Sequence, residues 1–139
     1  MTTLASLLIA ASAATILLLG LVHLLYTFRG RKLHPWDAAV EAAMKESSPV
    51  LTRQTTMWKA WIGFNASHSG GAILFGLVYG YLALAQAAFL FQSPFLLGLG
   101  LVFLACYVFL ARVYWFSIPF RGIVMASLLY GAGLVLASV

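Results

Sequence analysis

Long apolar runs alternate with short polar breaks along the whole chain. Four runs, approximately residues 4–28, 58–86, 95–117 and 120–139, are each long enough to supply the ~20 helical residues that cross a roughly 30 Å hydrocarbon layer. Irregular backbone cannot face lipid, so the breaks should lie at solvent or at the interface. They carry suitable residues: Arg29-Gly30-Arg31, Gln92-Ser93-Pro94 and Ile118-Pro119. The pattern predicts an all-α integral membrane protein, a four-transmembrane-helix bundle forming a single domain over residues 1–139. The first run, MTTLASLLIAASAATILLLG, has no basic residue ahead of it and stays apolar for too long to be a cleaved signal, so it reads as the first span.

The long first connection, Arg31 to Thr55, contains DAAVEAAMKE. At helical spacing Ala39, Val40, Ala43 and Met44 share one face, and Glu41 stands four residues before Lys45. This predicts a short amphipathic surface helix, entered through Pro35 and stopped by Ser47-Ser48-Pro49.

Composition makes the bilayer the solvent: 63% of the residues are hydrophobic and 8% charged. The single Cys106 excludes disulfide exchange within one chain, and no Cys/His spacing suggests a zinc site. All eight Lys/Arg residues map to one side of the layer. Arg29, Arg31, Lys32, Lys45, Arg53 and Lys59 belong to the first connection and its helix edge, and Arg112 and Arg121 flank the third. The positive-inside rule then makes the first and third connections cytoplasmic and both termini external, as in a bacterial inner (plasma) membrane. Trp58, Trp61, Tyr114, Trp115 and Phe116 form an aromatic belt on the basic side, and Phe89, Phe91 and Phe95 mark the other interface. The net charge of +5 is thus topological, and it suits membrane lipids rather than nucleic acid as partners.

Polar residues inside the spans are the candidates for chemistry. On the second span two series of small residues, Gly63, Ser67, Gly71 and Ala72, Gly76, Gly80, predict close helix packing on two sides. Asn65 and His68 need partners in hydrocarbon or they cost several kcal/mol. At ~1.5 Å per residue His68 lies roughly 13 Å inside from Lys59, and His23 lies roughly 9 Å inside from Arg29. His23 belongs to a stripe of Ala13, Ile16, Gly20, His23 and Thr27, so a cluster of His23, Thr27, Asn65, His68 and Tyr26 is expected in the cytoplasmic half. Such a cluster could be interhelical glue at ~0.6 to 2 kcal/mol per bond. It could also hold a polar headgroup, a quinone or a thiol, or ligate a b-type haem through His23 and His68; no other metal ligand is expected. Arg112 and Arg121, with the N-terminus of the fourth helix, add a candidate anion-receiving region at the same face. No span carries a carboxylate, so paired-acid chemistry has no intramembrane candidate.

ARVYWFSIPFRGIVMASLLYGAGLVL, residues 111 to 136, resembles the third-helix Arg signature and Pro-x-Arg entry of the membrane-associated proteins in eicosanoid and glutathione metabolism. Asn65-x-x-His68 is similar to that family's Asn-x-x-Glu element, with Trp61 and Phe64 standing where the family carries arginines. The resemblance implies a homotrimer with glutathione or a lipophilic substrate bound in the cytoplasmic leaflet. Arg112 and Asn65 would then contact the tripeptide. Arg121, the one candidate catalytic residue, would stabilise the thiolate, which is the nucleophile. The leading expectation is a pocket of Asn65, His68, Arg112 and Arg121, with His23 nearby, that binds a small amphipathic or thiol ligand. The alternative is a non-enzymatic accessory subunit of a larger membrane complex, and bis-His haem binding comes third.

Overall fold

The computed structural model describes residues 2–138. Among these the ordered elements are helices: α1 (Thr2–Phe28), α2 (Ala38–Glu46), α3 (Met57–Ala85), α4 (Ala87–Gln92), α5 (Pro94–Tyr114) and α6 (Ser117–Ala137). Helices α1, α3, α5 and α6 are long and apolar enough to cross a membrane, which identifies the chain as an integral membrane protein by length and composition. The chain divides into two compact units, Met1–Leu19 with Ala72–Val139, and Gly20–Gly71.

In the first unit, α1 buries Ala5, Ile9, Ala13 and Ile16, which recur at three- and four-residue spacing and so line one face. Small residues let neighbouring backbones approach that face. A Cβ on Gly76 of α3 would meet the Ala13 carbonyl at 2.8 Å and the Leu17 Cα at 2.9 Å; one on Gly133 of α6 would meet the Ala5 carbonyl at 3.0 Å. The Ala72, Gly76, Gly80 series therefore packs as its spacing predicts. Stacked rings fill the interior: Phe75 lies 4.4 Å from Phe103, which lies 4.3 Å from Tyr107. Two buried tyrosines complete the core by donating to carbonyls in the first turn of α5, Tyr79 to Leu96 at 2.6 Å and Tyr130 to Leu97 at 3.1 Å. Each hydroxyl therefore has a partner in a setting where an orphan would be costly.

Two boundaries differ from the hydropathy reading. The connection after α3 contains a further short helix, α4, set off by Gln86 in a non-helical conformation (φ −135°, ψ 39°). Ser93 then caps α5, its hydroxyl accepting from the Leu96 amide, with Pro94 at the first helical position. The last turn falls at Trp115 and Phe116 rather than at Ile118-Pro119, so the spans expected at 95–117 and 120–139 are Pro94–Tyr114 and Ser117–Ala137. Pro119 sits in the first turn of α6, where its missing amide hydrogen would have found no intrahelical acceptor; it starts the helix instead of breaking the chain. The expected end at residue 139 lies outside the described residues.

The second unit holds the end of α1, the connection, α2 and the start of α3. Gly30, at φ 81°, ends α1 in the left-handed region that suits glycine. Asp37 caps α2 by accepting from the Ala39 amide at 2.8 Å. Glu41 then gathers basic side chains: Lys45 at 2.6 Å, His34 at 3.0 Å and Arg31 at 3.8 Å. Lys45 and then His34 hold its carboxyl well below the usual range, at about 2. The connection is tied to the start of α3 in three ways. The Trp61 indole donates to the Leu33 carbonyl at 3.0 Å, the Met57 amide donates to Ser47 at 2.8 Å, and His34 packs edge-on to Trp58 at 4.8 Å. Helix α2 has no buried residue, and its apolar positions Ala39, Val40 and Ala43 are exposed, as an interfacial helix requires.

Candidate functional site

Helices α1 and α3 bring His23, Asn65 and His68 together. The Asn65 amide nitrogen donates to the Trp61 carbonyl one turn earlier, at 2.8 Å. That fixes the amide so that its oxygen faces His23, whose Nε2 donates to it at 2.9 Å. In neutral His23 the proton is thereby assigned to Nε2, which leaves Nδ1 as the acceptor nitrogen. The His68 ring lies 5.3 Å from that of His23, centroid to centroid, and nearly perpendicular at 84°. Similar depth alone leaves open whether the two imidazoles meet; here they pack edge to face.

The remaining expected members do not join this cluster. The Thr27 hydroxyl donates to the His23 carbonyl at 2.8 Å, within its own helix, and Tyr26 receives Lys32, whose Nζ is 3.2 Å from the phenol oxygen and 4.4 Å from the ring centre. Ser69, which shares a helix face with Asn65 and His68, is fully buried and donates to the Asn65 carbonyl at 2.9 Å. Its signal was the i, i+4 spacing from Asn65.

The arrangement does not fit a haem. Bis-axial ligation would aim one nitrogen of each ring at a shared metal about 2 Å away, the usual imidazole–metal distance. Here His23 Nε2 is committed to Asn65, and the rings touch edge to face with no gap for a macrocycle.

Arg112 and Arg121 belong to the first unit, in the last turn of α5 and the first turn of α6. Both are exposed, and neither forms an ion pair among the described residues. Arg112 closes one end of an open groove of about 460 Å³ between these helices. Helix α5 contributes Leu101, Leu104, Ala105, Val108 and Phe109, a single face at helical spacing, and α6 contributes Phe120 and Ser127. The sequence named Arg112 but not the groove, which depends on how α5 and α6 register against each other.

The two series of small residues on α3 also part company. Gly63 and Gly70 are exposed, with open space where a Cβ would project, and Ser67 between them is exposed as well. The face carrying Gly63, Ser67 and Gly70 is therefore open among the described residues, while Gly71 of the first series is half-buried and the second series is packed. No protein-family model, curated protein or solved structure matches the chain.

Proposed function

We propose that this integral membrane protein binds a small amphipathic or thiol ligand in the leaflet on its basic side, with the His23–Asn65–His68 cluster meeting the ligand's polar end. The observation that carries the reading is the cluster itself. Two imidazoles and an amide are assembled across two membrane helices, at a depth where polar groups are costly unless they serve packing or function. Asn65 is already paired at both ends of its amide, so it orients His23. The first and third connections are cytoplasmic and the termini external, an orientation supported by the confinement of all eight Lys/Arg to one side.

Glutathione is the thiol that the family resemblance suggests, with a homotrimer as its assembly and Arg121 as the guanidinium that favours the thiolate. Thermal unfolding of the detergent-solubilised protein with added glutathione tests this version. Ligand at about 100 times its Kd should stabilise by about 2.7 kcal/mol, and the shift should shrink in both His68→Ala and Arg121→Ala. Absence of any shift would reject glutathione.

A second reading, an accessory subunit of a larger membrane complex, is favoured by the open Gly63, Ser67 and Gly70 face of α3, which offers a neighbouring helix close backbone approach. Stoichiometric co-purification of a larger membrane protein from native membranes would support it; purification as the bare chain or its homo-oligomer would count against it.

A further inference from the structure

We propose that the groove between α5 and α6 is an anionic-phospholipid site, holding one acyl chain along its apolar walls and the phosphate at Arg112. The site is distinct from the histidine cluster and does not depend on that reading.

Three observations carry it. The first is length: Leu101 to Arg112 spans eleven residues of α5, about 16 Å, which is close to half of a roughly 30 Å hydrocarbon layer. The groove thus runs the depth of one leaflet. The second is chemistry along that length. Leu104, Val108 and Phe109 from α5 and Phe120 from α6 offer apolar walls, while the one polar side chain on the α6 wall, Ser127, donates its hydroxyl to the Ile123 carbonyl at 2.8 Å. With that proton used inside α6 and every other side chain of the deep lining apolar, the deep part of the groove suits a hydrocarbon chain.

The third is charge. The only formal charge in the lining is Arg112, at the end where α5 approaches the connection. The three acidic residues of the chain, Asp37, Glu41 and Glu46, all lie in or beside α2, and none pairs with Arg112 among the described residues. A guanidinium binds a phosphate through paired N–H donors, which an electrically neutral headgroup engages less strongly. A hydrocarbon slot one leaflet long with a lone arginine at its interfacial end matches an anionic lipid at both ends.

Native mass spectrometry of the whole protein tests this after exchange into detergent with equal amounts of phosphatidylglycerol and phosphatidylcholine of identical chains. The expected result is retention of phosphatidylglycerol at least about tenfold over phosphatidylcholine, equivalent to about 1.4 kcal/mol. Arg112→Gln should abolish the preference and Arg112→Lys should restore part of it. Ala105→Trp, which fills the groove, should reduce retention of both lipids while leaving the helical circular dichroism intact. Equal retention of the two lipids by the native protein would overturn the proposal. So would a preference that survives Arg112→Gln, or retention unchanged by Ala105→Trp.

Discussion

His23 donates from Nε2 to the Asn65 side-chain oxygen at 2.9 Å, joining α1 to α3 through a side-chain hydrogen bond in the apolar part of both helices. The bond is set up from one side, because Asn65 is first oriented by its own helix through the Trp61 carbonyl. It also fixes which nitrogen of neutral His23 carries the proton.

Removing both members of this pair should cost less than the two separate removals add up to. Asn65→Leu or His23→Leu leaves the other polar group without its partner, and each should destabilise by about 1–2 kcal/mol. The double variant His23→Leu/Asn65→Leu should cost less than the sum of the two. Equilibrium unfolding in mixed micelles across this double-mutant cycle measures the coupling, expected at ~0.6 to 2 kcal/mol, and strict additivity would show that the bond contributes nothing.

The two glycine faces of α3 should respond oppositely to a methyl group. Gly76→Ala drives a Cβ into the backbone of α1 at Ala13 and Leu17, and should cost about 1–3 kcal/mol. Gly70→Ala meets open space and gains up to about 1 kcal/mol of helix propensity, so it should be neutral or slightly stabilising. Thermal midpoints of the two variants in one detergent check this. A Gly70→Ala variant as unstable as Gly76→Ala would mean that a neighbouring chain covers the Gly70 face.

The connection should loosen in acid. Glu41 has its carboxyl depressed from 4.5 to about 2 by Lys45 and His34, with Arg31 also close. A depressed carboxylate stabilises the folded state above its unfolded value, so the contribution is complete above about pH 4.5 and is lost as pH falls toward about 2. Amide exchange of α2 should accelerate through that window in the native protein. In Glu41→Gln, α2 should exchange faster at neutral pH and show little further change across it.

Much of this was readable from the residues. Four apolar runs and a DAAVEAAMKE helix with its Glu41–Lys45 pair follow from spacing, and about 1.5 Å per residue puts His23 and His68 at similar depths without saying that their rings meet. Pro119 misled because proline both ends segments and opens helices, and its sequence neighbours do not distinguish the two roles. Small residues at four-residue spacing announce that close packing is available without saying what packs: Gly76 is covered and Gly63 is not. The groove beside Arg112 exists only once α5 and α6 are set side by side, so no local pattern carried it.

Topology is open to a direct check. In a Cys106→Ser background, the proposed cytoplasmic placement of the first connection predicts that Ser48→Cys reacts with an impermeant maleimide in inverted membrane vesicles and stays unlabelled in intact spheroplasts. Labelling in spheroplasts would reverse the orientation.

The central claim, that the His23–Asn65–His68 cluster receives a ligand, is tested most directly by the nitrogen NMR resonances of the two imidazoles. The protein with ¹⁵N-labelled histidine is titrated in nanodiscs with glutathione and, separately, with S-decylglutathione. The account predicts saturable shifts at both His23 and His68, which coincide with the thermal stabilisation and are lost in Asn65→Leu. Saturable binding that leaves both imidazole resonances unmoved, or no binding of either compound at millimolar concentration, would contradict it.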